Sequence, residues 1–492
     1  MRGCCDVRTE NAGIQKGENA MYGFEKIGKV KPRSAGEIHS SRIGIGFEKL
    51  DRNLYDPKPC YDPIGELGAH WVRVQSGWCR TEKRKGVYDF AWLDEIVDAL
   101  IARHTRPWMC LCYGNELYTP GANNKAGAVG RPPIHTEEER QGWDNYVAAC
   151  VAHYRGRVKE FEIWNEPDGR WCWRPEPDPD EYSAFALRTA KVIKQTNPDA
   201  QVLVGSFCVD FDFFYRFMTA ELAAYTDAVT FHRYQFDVDN GLREYVRNIR
   251  AVLNRFDRPI RIIQGETGTQ SEYSTHGALR CADWTERRQV KFLLREVMAN
   301  LSTEVQFTSY FSMADIFENI QDDEGEISKE WYGFFGLLGE TFDENGKPLN
   351  TYRKKDAYFA MQTLCALFDD TVKNADLPIL FRCENDSAVG GMNENVNRPD
   401  SALMYQGFEK DNGAKAFAYW KAADIMTTDF ASSVSVSCYG LPGDVKLVDL
   451  YDGTVYRIPE GHIRRENGII RIDNIPYRDY PLLLTFGGFE QG

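Results

Sequence analysis

This chain has no surplus of positive charge to offer a polyanion. It contains 59 lysines and arginines against 73 aspartates and glutamates, a formal net charge of −14. With no basic stripe to offset that balance, nucleic acid is excluded as an expected partner. No apolar run reaches transmembrane length, so no membrane-spanning helix is expected. The opening residues, MRGCCDVRTENAGIQKG, are polar and lack the apolar core of a secretion signal, and the expectation is a soluble, cytoplasmic protein. Zinc spacing is missing among the 13 cysteines. Most of these, such as Cys110 and Cys112 in PWMCLCYG, sit in strand-like runs and read as reduced, buried small hydrophobes, so neither a metal nor a disulfide framework is expected. No Gly-rich loop precedes a helix, which argues against a phosphate cradle and against any cofactor that would need one. Repeats and low-complexity tracts are also absent, which removes solenoids.

What the chain does have is the stretch KEFEIWNEPDGRW, residues 159–171, an alternating apolar run that stops at Trp164, Asn165, Glu166 and Pro167. It predicts a strand that delivers a carboxylate, because Pro167 cannot donate to a ladder and ends the pairing just after Glu166. The segment RPIRIIQGETG, residues 258–268, repeats the design with Glu266. Two strands that each end in a glutamate imply a pair of carboxylates across one cleft.

Around these stretches strand and helix patterns alternate. RIGIGF, WVRVQ, RPWMCLCY, the Glu166 strand, QVLVGSF, AVTFHRY, IRIIQGE and VQFTSYFSM read as strands, and the segments between them have apolar residues at helical spacing. Thr136 and Glu139 have the spacing of a capping box ahead of one long helix. Eight such alternations over residues 39–372 predict an α/β fold, a parallel (β/α)8 TIM barrel. Residues 373–492 change character to short β-type runs separated by Gly, Asn, Asp and Pro turns, and predict an all-β sandwich. CENDSAVGGMNENVNRPDS, residues 383–401, reads as a long polar loop. Residues 1–38 form an N-terminal extension in which MYGFEKIGKV offers one strand to the β region.

In a parallel barrel the C-terminal ends of the strands carry the site. Carboxylates about 5–5.5 Å apart on either side of a sugar permit retaining glycoside hydrolysis, one as acid/base and the other as nucleophile. The bland alternative is two surface glutamates at helix entries. Asn165 is placed to bond a sugar hydroxyl, or is a turn residue. His232 and Tyr234 share one strand face, within reach of a carboxylate or a hydroxyl, although His232 reads equally as a satisfied core histidine. Arg73 on the second strand is a supporting residue, paired with Glu266 or with Glu162 inside the barrel. Trp171, Trp173 and Trp331 lie in or near loops on that side, where stacking on a sugar competes with ordinary packing.

These motifs resemble a known group. IWNEP at 163–167 together with QGE at 264–266 is similar to the retaining glycosidases of clan A, whose acid/base follows an Asn on strand four and whose nucleophile ends strand seven. FHRY at 231–234 and YFSMADIFEN at 310–319 resemble the family 39 β-xylosidases. The resemblance implies that Glu166 is the acid/base, Glu266 the nucleophile, and Asn165, His232, Tyr234, Phe311 and Glu318 substrate contacts. The chain departs from that pattern at Phe311, where the family has Trp, and at Glu318 and Asn319, where it has a pair of Glu. The implied function is a retaining, exo-acting hydrolase of short β-linked oligosaccharides or glycosides, with β-D-xylosides as the best single substrate. β-Glucosides, β-galactosides, α-L-arabinosides and a non-catalytic carbohydrate-binding barrel are the alternatives. A uronic acid ranks lower, since only Arg170 and Arg174 stand near the motif to hold one. Assembly into a homo-oligomer stays open.

Overall fold

In the computed structural model, which describes residues 23–122, 126–208, 210–239, 241–321, 327–344, 348–382 and 402–491, eight parallel strands close into a barrel. They are Ile43–Gly46, Trp71–Gln75, Arg106–Leu111, Glu160–Ile163, Gln201–Phe207, Ala228–His232, Arg261–Thr267 and Thr308–Tyr310, and each pairs with the next in sequence. Thr308 lies opposite Ile43 in the pairing that closes the circle. The strands are short and buried on both faces, as parallel strands covered by helices must be.

The barrel interior is layered by residue type. Its floor is an apolar plug of Trp71, Trp108, Leu203, Ala228, Ile263 and Phe307, in which the Trp71 and Phe307 rings stack 4.4 Å apart. Above the plug sits a layer of charge, Arg73 and Glu162, both fully buried. Trp108 marks the boundary, its ring 5.4 Å from the Arg73 guanidinium carbon. A cation on an aromatic face keeps part of its electrostatic stabilisation after losing water, which is how the plug tolerates the charge above it.

Several of the outer helices begin where the sequence supplies caps. Thr136 accepts from the amide of Glu139 to open Glu137–His153, and Thr285 accepts from Arg288 to open Glu286–Leu301. The expected capping box is displaced by one residue, because the Glu139 carboxylate reaches back to the amide of His135 and not to that of Thr136. Asp178 caps Pro179–Thr196, with proline at the first helical position, where its missing N–H costs nothing.

After the eighth strand two antiparallel ribbons intervene, Ile316–Gln321 with Ile327–Gly333 and Leu338–Phe342 with Pro348–Lys354, before the last barrel helix, Asp356–Leu367. Beyond it lie a seven-stranded and a four-stranded antiparallel sheet. They face each other through Phe381, whose ring is 5.4 Å from Phe417 and 5.2 Å from Tyr419. Glu25–Lys29 is the edge strand of the larger sheet, antiparallel to Thr454–Arg457. The polar segment 383–401 and residues 1–22 lie outside the described residues.

Buried charge ties the sheets to the barrel. Lys291 on helix Glu286–Leu301 bonds Asp479 at 2.7 Å and Asp429 at 2.6 Å. One turn on, Arg295 pairs with Asp239, and the same carboxylate accepts from the Trp420 indole at 2.7 Å.

Candidate active site

The fourth strand ends at Ile163, three residues before the expected terminus at Glu166. Trp164 and Glu166 both lie in the left-handed region, with φ of 67° and 47°, so the chain leaves the ladder before proline is reached. For non-glycine residues such backbone costs about 1–3 kcal/mol each and persists only where packing over-determines it. Here the Trp164 ring is fully buried and its indole donates to the Cys172 carbonyl at 2.8 Å. The amide of Glu166 is held by the Ser206 carbonyl at 3.1 Å. The turn directs the Glu166 side chain into a cavity of about 610 Å³ at the C-terminal mouth of the barrel. Glu266, by contrast, belongs to its strand, in register with His232.

The two glutamates meet at one histidine. Nδ1 of His232 lies 3.0 Å from Oε1 of Glu166 and 3.9 Å from Oε2 of Glu266. Nε2 of the same ring is 3.0 Å from the Ser206 hydroxyl. His232 is fully buried, and that burial pushes its pKa down to about 4, so the ring is neutral near pH 7. With both nitrogens engaged by protein, His232 serves Glu166 and leaves no ring nitrogen for a sugar hydroxyl.

Burial also raises the Glu166 carboxyl above its ordinary value, against hydrogen bonds from the Trp171 indole and Cys208 and the charge of Arg73, which pull the other way. Glu266 is held on both oxygens: Tyr234 donates to Oε1 at 2.5 Å and Nη1 of Arg73 to Oε2 at 2.7 Å.

Arg73 does not choose between its two expected partners. Its Nε and Nη2 donate to Oε2 of Glu162 at 2.9 and 2.6 Å, while Nη1 also reaches Glu48 at 2.8 Å. Nη2 further donates to Oδ1 of Asn165 at 2.7 Å, which turns the Asn165 amide nitrogen toward Cys172 and the cavity. One guanidinium thus serves three carboxylates, and burial raises the Glu48 pKa well above the usual range against the opposing charge of Arg73. Burial and the neighbouring carboxylates thus favour the protonated form of Glu48, which lessens the excess negative charge in this cluster.

The profile of glycosyl hydrolases family 39 matches residues 58–402. The chain belongs to that family. A β-xylosidase of Geobacillus stearothermophilus is 22% identical over 285 residues, covering 52% of this chain and 53% of its own length, so the chain spans about half of that curated relative. Among solved structures, a family 39 glycoside hydrolase from Bacteroides cellulosilyticus WH2 superposes with a TM-score of 0.62 at 18% identity, over 90% of this chain and 80% of that one. A family 39 β-xylosidase from Caulobacter crescentus does so with a TM-score of 0.53 at 16% identity, over 94% of this chain and 98% of that one. At such identities these likenesses concern the fold.

In this family 39 chain the cavity brings together Asn165, Glu166, Trp171, His232, Tyr234, Glu266 and Phe311. Trp171 is 57% exposed, an apolar face at the mouth. Trp173 is fully buried against Trp164 and Tyr182 and is a packing residue. Phe311 stands edge-on to Phe335, 5.2 Å away, and the two form an apolar wall. Glu318 and Trp331 are opposite each other in the first ribbon after strand eight, and their side chains lie outside the described residues. The cationic residues at the cavity are Lys49, Arg52 and Arg280. Arg170 and Arg174 do not line it, and Arg170 is taken up by Glu176.

Sequence reasoning passed over Glu48, Gln75, Tyr113, Cys172, Cys208 and Phe335, all of which line the cavity. Glu48 was open to the strand-end rule, standing two residues beyond the first strand. Gly46 makes room for it, since a Cβ there would come within 2.8 Å of the Glu48 carboxylate. Cys172 and Cys208 carried no sequence signal, because a thiol beside a barrel strand reads like any other small buried residue.

Proposed function

We propose that this protein is a retaining, exo-acting glycoside hydrolase that cleaves short β-linked glycosides by double displacement. The observation that carries the reading is the imidazole shared by two carboxylates. His232 caps the separation of the Glu166 and Glu266 oxygens at about 7 Å, which admits the roughly 5–5.5 Å of retaining enzymes and leaves little of the roughly 6.5–9.5 Å range of inverting ones.

Glu166 is the acid/base. Burial shifts its carboxyl toward the protonated form that the leaving oxygen needs, and a neutral His232 beside it adds no positive charge to oppose that shift. Glu266 is the nucleophile, aimed at the anomeric carbon by Arg73 and Tyr234. Asn165, its carbonyl oxygen held by Arg73, presents its amide N–H to the sugar 2-hydroxyl, a contact that strengthens in the transition state.

β-D-Xylosides are the best single substrate, a reading supported by the family and by the β-xylosidases among its relatives. A cavity of about 610 Å³ suits a sugar with a modest aglycone and favours action at a chain end. Phe311 and Phe335 supply an apolar face without an indole donor. Lys49, Arg52 and Arg280 favour a second reading, in which the sugar or its aglycone carries a carboxylate.

Rates on a panel of nitrophenyl glycosides, neutral and anionic, test the substrate. A preference of about tenfold, or 1.4 kcal/mol, for any of them over the β-D-xyloside overturns the choice. NMR of the first-formed sugar tests the mechanism, and an inverted anomer refutes it. Glu266→Ala should abolish turnover. Glu166→Ala should keep activity on substrates with good leaving groups and respond to azide.

A further inference from the structure

The ends of three adjacent barrel strands place a carboxylate, an imidazole and a thiol around one point in the cavity. Glu166 follows the fourth strand, Cys208 follows the fifth, and His232 ends the sixth. An oxygen of Glu166, the Cys208 sulfur and a ring nitrogen of His232 all lie within 4.8 Å of one another. In a tetrahedral zinc site, with bonds of about 2.0–2.3 Å, ligand atoms stand about 3.3–3.8 Å apart. A small rotation of the thiol covers the difference.

We propose that these three residues form an inhibitory site for a thiophilic divalent cation of the Zn²⁺ class. The proposal rests on the assignment of Glu166 as acid/base, because a cation held there occupies that carboxylate and blocks the sugar. Oxygen, nitrogen and sulfur donors together are a set that zinc takes and that calcium or magnesium does not.

The surroundings support the ligands. The Cys208 amide donates to both oxygens of Asp168, at 3.0 and 2.9 Å, which fixes the backbone that carries the thiol. His232 is rigid and buried, with the Ser206 hydroxyl on Nε2. A hydroxyl can donate or accept, so Ser206 supports either ring tautomer. Such a partner behind a ligating histidine orients the ring.

The binding step balances without a further reactant. Cys208 gives up its thiol proton and Glu166 its carboxyl proton, both to solvent. The imidazole takes its proton on Nε2, facing Ser206, and turns the Nδ1 lone pair to the cation. Water fills the fourth position.

The test uses the full-length, metal-stripped protein. Titration with Co²⁺ should give a thiolate-to-cobalt band in the near ultraviolet, and Zn²⁺ should displace it. Calorimetry should find one Zn²⁺ per chain at this site. Cys208→Ala should lose the band and weaken Zn²⁺ by at least about tenfold, and His232→Gln should weaken it independently. Hydrolysis should be inhibited by Zn²⁺ competitively with the glycoside. The Zn²⁺ needed, relative to each variant's own rate, should rise by the same factor in Cys208→Ala. No band in the wild type, or a band that survives in Cys208→Ala and so comes from another cysteine, overturns the site. The band and the heat are read without turnover, so the site can stand or fall separately from the glycosidase reading. Binding without inhibition would keep the site and refute its inhibitory role.

Discussion

Replacing Arg73 with Met should separate the two things this guanidinium does. The side chain is fully buried and makes hydrogen bonds to Glu162, Glu48, Glu266 and Asn165 at 2.6–2.9 Å. Methionine fills much of the same volume but leaves Glu162, also fully buried, without a counter-charge. Removing one partner of a buried pair costs about 3–5 kcal/mol. In a chain of 492 residues that is a fall of roughly 3–5 °C in Tm. Activity should fall separately, because Glu266 and Asn165 both lose the donor that aims them. A positioned donor of this kind is worth about 2.7–4 kcal/mol, or 10²–10³ in rate.

The double variant Arg73→Met/Glu162→Leu decides whether this reasoning holds. An apolar pair of similar volume removes the uncompensated charge, so most of the stability should return. The lost kcat/KM should not return. Thermal melts and nitrophenyl β-D-xyloside kinetics on wild type and both variants are the assay. A single variant with wild-type Tm, or a double variant that regains the rate, would show that Arg73 is not a shared support of Glu162, Glu266 and Asn165.

The Trp171 indole donates to Glu166 and lowers its pKa, opposing burial. Trp171→Phe should move the alkaline limb of the kcat/KM profile upward, because the donor that opposes burial is lost; a downward shift refutes it. Glu296 is fully buried with a folded pKa raised to about 7. The native state therefore holds a proton that the unfolded state releases, and stability falls as pH rises from about 4.5 to 7, by about 3 kcal/mol from this group. Glu296→Gln should flatten that fall in urea melts at pH 5 and pH 7.5, and an unchanged slope counts against it. Cutting the chain near residue 372 removes Asp479 and Asp429 from Lys291 and strips the sheets from helix Glu286–Leu301, which is buried from Gln289 to Leu301 in the full chain. The isolated barrel should be less soluble and melt lower than the full chain, and equal heat resistance would refute the dependence.

Much of this molecule was legible because barrels write themselves locally. Each barrel strand carries its own apolar run and several helices their own cap, so Thr136, Asp178 and Thr285 announce helices whatever surrounds them. Glu266 was readable for the same reason, being part of the strand that presents it. Glu166 was readable as a position but not as a conformation. Its turn depends on the burial of Trp164 and on the Ser206 carbonyl, about forty residues away in sequence.

The sequence by itself determined the barrel, the antiparallel sheets after it and the two glutamates, because periodicity and strand-end polarity are properties of neighbouring residues. Only the tertiary structure decided how those residues share partners. Arg73 reaching Glu48, Glu162 and Glu266 at once, His232 turned to Glu166, and Cys208 drawn into the cavity all depend on barrel closure. Closure brings strand ends as far apart in sequence as Glu48 and Glu266 within reach of one guanidinium. Charge in a dry interior is governed by whatever lies within a few ångströms, and distance along the chain carries no record of that.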